Sequence, residues 1–446
     1  MRFNIGQKEI LMEILQKDYG LCREKKLNKI SINSNKINKN DLFIAIKGAR
    51  TDGHLYIKDA IENGASIIVT NKETKVPDGI SLIVAKSTKE FIIDIATKYR
   101  KSFNIKMIAI TGTNGKTTTK ELLYQIVKKK FNTFKNNGNF NSTIGLPLSL
   151  LGIMDKTQYG VIEIGASRIG EIDTLSKIVD PFIGLITNIS IAHLETFKTF
   201  ENIVKTKLEL FNNINENGTA IKNYDDENIK KSKQNPKQVS FGYNQQAQFQ
   251  GSYKLENNKY KVLINDNEFE IENNGYSIVL NFLSVYTIAN IIGISNKSIQ
   301  DSVNSFKVPD SRGRIITKNG TTIIDDSYNA NYESMRLGID WVSSLNDYSK
   351  KIAVIGEMKE LGNLSEQYHI GIGKIISKSS INYILCYGNK TTKIIENIKS
   401  DEIFKFYFET KKELTRYLKS IMEGGDLIYV KGSRSNNLEI IIKEIS

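Results

Sequence analysis

The apolar positions of this chain fall into two rhythms. Short apolar runs bounded by turn formers predict buried strands at Asp41–Ile46, Ala65–Thr70, Met107–Ile110, Gly160–Gly165 and Gly184–Ile189. Apolar residues every three or four positions predict helices. These are Tyr56–Asn63, closed by Gly64, then Lys89–Phe103, Phe200–Phe211 and Leu283–Ile294. A further helix opens at Lys116, with Leu122, Leu123, Ile126 and Val127 on one face. Between 240 and 280 the pattern alternates, as in Tyr260–Ile264 and Glu268–Ile271, which predicts an antiparallel meander. From Ser311 onward, strands at Thr321–Asp326, Lys351–Gly356, Asn382–Tyr387, Ile403–Phe408 and Asp426–Val430 alternate with helical patterns, the rhythm of a doubly wound sheet. The expected fold is α/β in three domains: a small N-terminal α/β domain over 1–103, a central α/β domain with a parallel sheet plus antiparallel strands over 104–310, and a C-terminal Rossmann-like domain over 311–446.

Composition narrows the class. A chain of 446 residues exceeds one ordinary core. Its 40% hydrophobic and 25% charged residues are those of a soluble globular protein. No stretch near the start has the layout of a secretory leader, and no apolar run approaches a membrane span. Cys22 and Cys386 form no ligand spacing and fit a reducing cytoplasm. The formal net charge is +13. The lysines are spread out, their densest clusters being Lys128–Lys130 and Lys230–Lys237, and no nucleic-acid module accompanies them. The charge therefore reads as a mild pull on anionic substrates, and no nucleic-acid partner is expected.

The candidate chemistry centres on Ile108 to Lys120. A buried strand runs into a turn with Gly112 and Gly115, and Lys116-Thr117 open a helix. That order suits a phosphate-binding loop: glycine lets backbone N–H groups turn inward, and the helix N-terminus adds partial positive charge. Lys116 would reach the terminal phosphates and Thr117 would offer its hydroxyl to Mg²⁺. The longer pattern G-x-x-x-x-G-K-[ST] is broken, since Ile110 stands where its first glycine belongs. Glu163, a carboxylate in an apolar strand, is costly unless paired or bound to metal. His193 is a second candidate ligand, although a lone histidine is more often structural. Asp325 and Asp326 end a strand and could equally cap a helix. Asn136–Asn141 is a stretch of turn formers.

Several of these stretches together resemble the Mur ligases, the ATP-dependent amide ligases of peptidoglycan synthesis. They are Gly112-Thr-Asn-Gly-Lys-Thr117, Glu163-Ile-Gly165, Thr187-Asn-Ile189, Ala192-His-Leu-Glu195 and Lys207-Leu-Glu-Leu-Phe211. Within that family, Gly138-Asn-Phe-Asn141 with Ile144-Gly-Leu-Pro147, Ile324-Asp-Asp-Ser-Tyr-Asn-Ala-Asn331 and Lys431-Gly-Ser-Arg434 are similar to the member that joins D-alanyl-D-alanine to UDP-N-acetylmuramoyl-tripeptide. Ile355–Gly362 and His369 also fit. The resemblance covers nearly the whole chain in order.

The resemblance implies roles residue by residue. Gly112, Thr113, Asn114, Gly115, Lys116, Thr117 and Thr118 would hold ATP. Thr117, Glu163 and His193 would hold two Mg²⁺ ions. Lys207, by sequence an ordinary exposed lysine, would become a carbamate, an anion able to ligate Mg²⁺. Arg314 would meet the nucleotide phosphates. Asp326, Tyr328, Asn329 and Asn331 would lie between ATP and D-Ala-D-Ala, with Lys431 and the loop residues Asn139 and Asn141 also contacting substrate. Ser34, Lys47 and Gly48, in a stretch running to His54, would hold the UDP-sugar. The enzyme would be a cytoplasmic monomer. Three departures stand out: Asn33-Ser-Asn35 where Asp-Ser-Arg is usual, Leu283-Ser-Val-Tyr-Thr287 where adenine-contacting His-Asn-x-x-Asn is usual, and Tyr332 in place of proline. The sister ligase that adds a diamino acid should carry Asp-Asn-Pro-Arg, which is missing, and folylpolyglutamate synthetase should lack Asp325–Asn331. A non-catalytic nucleotide-binding scaffold is the reading from a different class.

Overall fold

The computed structural model describes residues 1–22, 25–48, 51–233, 237–257, 259–273 and 275–446. Ala49 and Arg50 of the Lys47–His54 stretch, and 234–236 of the second lysine cluster, lie outside the described residues. Three sheets succeed one another along the chain. The first has five strands, ordered Arg2–Phe3, Ile30–Ser31, Asp41–Ile44, Ala65–Thr70 and Ser81–Val84, parallel after the first pair.

The second sheet has nine strands. At its heart Lys106–Thr111 lies between Tyr159–Glu163 and Pro181–Ile186, all parallel. A strand covered on both faces needs apolar side chains throughout, and Met107 to Ile110 are fully buried. Ile110 is in register with both Glu163 and Leu185, so the three strands end together. Ligands gather at such carboxyl ends in open α/β sheets. The alternating stretch forms the antiparallel strands Phe249–Glu256, Lys259–Ile264 and Asn267–Glu272, which extend the same sheet. The third sheet has six strands, ordered Arg314–Lys318, Thr321–Asp326, Leu427–Lys431, Lys351–Gly356, Tyr383–Tyr387 and Phe404–Phe408. Helices Tyr332–Ser344 and Ser365–Ile376 cover one face, and Lys411–Ile421 and Glu439–Ile445 the other, as a doubly wound sheet requires.

The first sheet and the near face of the second share one apolar core. Polar contacts pin the seam: the Tyr99 hydroxyl donates to the Ile153 carbonyl at 2.8 Å and Arg100 Nε to the Val179 carbonyl at 3.0 Å. On the far face, helix Lys116–Val127 buries Leu122, Leu123, Ile126 and Val127 completely, each worth about 1.5–3 kcal/mol. It packs against helix Tyr276–Ile291. That second helix corrects the expected start at Leu283. It is apolar around nearly its whole circumference, so no stripe marks its beginning, and Gly275 at φ 134° is the break before it. Among the described residues no helix is long and apolar enough to cross a membrane.

Candidate active site

The loop Gly112–Gly115 leaves the central strand and enters helix Lys116–Val127. Gly112 has φ 142° and Gly115 φ 81°. A Cβ on Gly112 would sit 2.0 Å from the Thr187 hydroxyl, and one on Gly115 2.3 Å from Asn281 Oδ1. Both positions therefore demand glycine. Thr187–Ser190 cradles the loop: Thr113 N–H donates to the Asn188 carbonyl at 2.9 Å, Asn114 N–H to Asn188 Oδ1 at 3.0 Å, and the Thr187 hydroxyl to the Asn114 carbonyl at 2.6 Å. Lys116 Nζ folds back onto the carbonyls of Gly112 at 2.9 Å and Thr113 at 2.8 Å. Burial pushes its ammonium down to about 8, with Glu163 opposing and Arg312 adding to the shift.

Glu163 is 1% exposed, one strand across from the loop. Its Oε2 accepts from the Thr117 hydroxyl at 2.8 Å and its Oε1 from Asn141 Nδ2 at 2.6 Å. Lys207, on helix Phe200–Asn212, is 4% exposed and not a surface lysine as the sequence suggested. Burial is the main force pushing it down to about 7; nearby Lys116 adds to this, and Glu163, Glu171 and Glu209 oppose it. His193 sits at φ 53° ahead of a short helix, and its Nδ1 lies 2.5 Å from Glu360 of the C-terminal sheet's loops. Among the described residues no three His, Cys, Asp or Glu side chains gather into a metal-holding cluster. A carboxylate beside a hydroxyl at a phosphate loop is instead the sparse set that suits Mg²⁺ carried on nucleotide phosphates.

The C-terminal domain closes the other side. Asp326 is buried and its Oδ2 accepts from Lys431 Nζ at 2.6 Å, the Tyr429 hydroxyl at 3.2 Å and the Tyr276 hydroxyl at 3.4 Å. Burial and the Asp326 charge push both phenols up, so they stay donors. Asn331 and Asn114 exchange amide hydrogen bonds at 2.8 and 3.4 Å across the two domains. The Arg312 guanidinium stacks 3.5 Å over the Tyr328 ring and donates to the Thr117 hydroxyl at 3.2 Å.

These groups enclose one cavity of about 360 Å³. Gly112, Thr113, Asn114, Gly115, Lys116, Thr118, Asn141, Glu163, His193, Lys207, Asp326, Tyr328, Asn329, Asn331 and Lys431 all line it, with Thr117 reaching it through Glu163. Five sequence candidates lie elsewhere. Asn139 is exposed in its turn, and Ser34, Lys47 and Gly48 belong to the first sheet's unit. Arg314, expected at the nucleotide phosphates, is the fifth. It begins an edge strand opposite Asp325 and pairs with Asp310 in solvent, because Ser311 at φ 58° and Gly313 at φ 89° turn Arg312 inward in its place. The stretch Leu283–Thr287, where the sequence departs from an adenine-contacting motif, is buried mid-helix, and Tyr276 and Ser277 at the helix start line the cavity. Gly275 before the apolar run was the available signal for those two. Nothing local distinguishes Arg312 from Arg314.

Comparison with known proteins bears on the same regions. Residues 26–112 match the model of the Mur ligase family catalytic domain, 110–294 that of the Mur ligase middle domain, and 311–434 that of the Mur ligase glutamate ligase domain. The chain is 31% identical to the UDP-N-acetylmuramoyl-tripeptide–D-alanyl-D-alanine ligase of Bacillus subtilis (strain 168), over 93% of this chain and 92% of the relative. It is 33% identical to the ligase of that name from Rickettsia prowazekii, over 93% and 94%. Its structure is similar to that of MurF from Acinetobacter baumannii, with a TM-score of 0.88, 26% identity and 99% of each chain covered. It is also similar to MurF ligase from Thermotoga maritima in complex with ADP, with a TM-score of 0.82, 28% identity, and 93% and 96% covered. This chain, α/β in three sheets with its phosphate loop facing the C-terminal domain, belongs to the Mur ligase family.

Proposed function

We propose that this chain is the ATP-dependent ligase that joins D-alanyl-D-alanine to UDP-N-acetylmuramoyl-tripeptide through an acyl phosphate. One observation carries the reading: Lys116, Glu163, His193 and Lys207 meet Asp326, Asn331 and Lys431 of the C-terminal domain around one cavity. Support also comes from relatives of that name aligned over more than nine-tenths of the chain.

In this reading 1–103 holds the UDP-sugar through Ser34, Lys47 and Gly48, 104–310 holds ATP, and 311–446 brings D-Ala-D-Ala. Lys116 leaves its two carbonyls for the outer phosphates, and Arg312 supplies the second cation in place of Arg314. The residues fit Mg²⁺: Glu163 and the Thr117 hydroxyl would hold one ion, and His193 with Lys207 would hold a second. Bound Mg²⁺ supplies positive charge where two anions must approach. Lys207, with its ammonium weakened to a pKa of about 7, offers the neutral amine that adds CO₂ to become a carbamate.

A carboxylate is a poor electrophile at neutral pH. The tripeptide's terminal carboxylate takes the γ-phosphoryl group, one of its oxygens bridging to phosphorus, and ADP departs. The D-Ala-D-Ala amine then attacks the acyl carbon and loses a proton. The bond to the bridging oxygen breaks, and phosphate leaves carrying that oxygen. Lys116 and Arg312 stabilise charge on the phosphoryl oxygens as it develops. The contacts joining Asn114 to Asn331 and His193 to Glu360 keep water from the acyl phosphate. The enzyme works as a cytoplasmic monomer.

The test is to incubate the protein with ATP, Mg²⁺, UDP-MurNAc-tripeptide and D-Ala-D-Ala, following phosphate release and product mass. Product of the ligated mass, lost in Lys116→Ala, is expected. Phosphate release no greater than that of Lys116→Ala would leave the scaffold reading standing, and turnover only with a diamino acid and the dipeptide precursor would assign the sister ligase.

A further inference from the structure

Lys120 is a lysine with no exposed surface, one turn beyond Lys116 on the same helix. A buried ammonium is costly unless its donors are met. Here all three are: Nζ donates to the Asn136 carbonyl at 2.9 Å and the Gly138 carbonyl at 3.2 Å, and pairs with Glu121 Oε1 at 3.1 Å. Glu163 Oε2 lies 3.9 Å away. Lys120 is absent from the cavity lining, so it touches neither nucleotide nor acceptor there.

What it holds is the loop Asn136–Asn141. That loop is bound to Glu163 through backbone and side chain together. Asn136 Oδ1 accepts from Glu163 N–H at 2.9 Å and its Nδ2 donates to the Glu163 carbonyl at 3.0 Å. Gly165 N–H donates to the Asn141 carbonyl at 2.9 Å, and Asn141 Nδ2 reaches the Glu163 carboxylate. The nucleotide loop takes its support from Thr187–Ser190 instead. The two loops thus rest on different supports, joined where the Thr117 hydroxyl donates to Glu163.

We propose that Lys120 is a positioning residue for the acceptor half of the site: it fixes the Asn136–Asn141 loop against Glu163, and so places the acceptor carboxylate, acting on acceptor use and not on metal-free nucleotide binding. This rests on the ligase reading for the identity of the acceptor. Displacing a reacting group by an ångström costs on the order of 100-fold in rate.

The test uses the full chain with Lys120→Met, Lys120→Gln and Lys120→Arg. Nucleotide affinity is read by ADP titration in the presence of EDTA, so that the metal contact of Glu163 does not enter, acceptor use by kcat and KM for UDP-MurNAc-tripeptide, and loop order by amide exchange. Lys120→Met should raise the acceptor KM about tenfold and lower kcat about 100-fold, with ADP affinity held within about twofold. Amide exchange over 136–141 should quicken. Lys120→Gln, which keeps a donor and loses the charge, should fall between, and Lys120→Arg should recover part of the loss. ADP affinity falling in step with acceptor use would overturn the proposal, as would unchanged kinetics in Lys120→Gln. A wild-type protein that binds ADP and never ligates would instead sink the ligase reading, while the exchange measurement still judges the loop.

Discussion

Lys207 is the residue whose surroundings most change its chemistry. Its folded-state pKa of about 7 stands against an ordinary 10.5. Between those values the unfolded chain holds a proton that the folded chain has released. Stability therefore rises with pH across that window from this group, and below it the contribution is constant. In CO₂-free buffer, Lys207→Met should flatten the dependence of the melting temperature on pH between about 7 and 10 relative to wild type. Parallel curves would mean that Lys207 is not held in the low-dielectric site its burial indicates. Arg312 and Arg314 make a matched pair. Arg312→Ala should lower kcat/KM about 100-fold or more, as for loss of one charge-stabilising donor. Arg314→Ala, which removes an exposed ion pair, should leave it within about twofold. The reverse order would restore the expectation drawn from sequence. Residue types were legible: Lys116, Thr117, Glu163 and His193 each stand in a recognisable local pattern. Burial and direction were not, because they depend on what other segments pack above. Lys207 reads as surface until the cavity covers it, and the inward turn at Arg312 is set by two left-handed residues, one of them the serine Ser311.

At the scale of elements, periodicity found strands and helices wherever one face is polar. It failed on helix Tyr276–Ile291, which is buried from Ile278 to Ala289 except at Leu280 and so has no face to read. The seven-residue error hid Tyr276 and Ser277 from the sequence reading. Helix Tyr332–Ser344 shows the opposite case, with local signals that agree. Asn331 accepts from Ser334 N–H at 2.9 Å while the Ser334 hydroxyl accepts from Asn331 N–H at 3.1 Å, a reciprocal cap. Asn331 also pairs with Asn114, so one side chain serves the helix and the domain contact. Asn331→Ala should cost about 1 kcal/mol of stability in the C-terminal domain from the cap. Asn114→Ala breaks the interdomain pair and a 3.4 Å contact with the Ser190 hydroxyl but leaves the cap, and should lower kcat/KM without that loss. Equal destabilisation by the two, read from thermal unfolding, would show that the cap carries no weight.

Across the whole molecule, the three sheets divide the work unevenly. The first shares its core with the central sheet and is pinned by Tyr99 and Arg100. The third meets the central unit through polar side chains at the cavity, among them Asn331, Glu360, Arg312 and Asp326, with the Tyr276–Trp341 ring pair at 5.6 Å beside them. An apolar seam resists opening, whereas a polar one exchanges partners with substrate at small net cost. That asymmetry suits a site in which an anhydride must form out of reach of water. The sequence carried the order of these units through its motifs. It did not carry the convergence of Lys116, Lys207 and Lys431 on one space, since that depends on contacts hundreds of residues apart. The reaction stands or falls on the acyl phosphate, and oxygen labelling follows the atom that passes through it. With both oxygens of the tripeptide's terminal carboxylate labelled as ¹⁸O, the released inorganic phosphate is analysed by mass spectrometry after ligation. Each phosphate formed with product should carry one labelled oxygen; unlabelled phosphate accompanying ligated product would rule the acyl phosphate out.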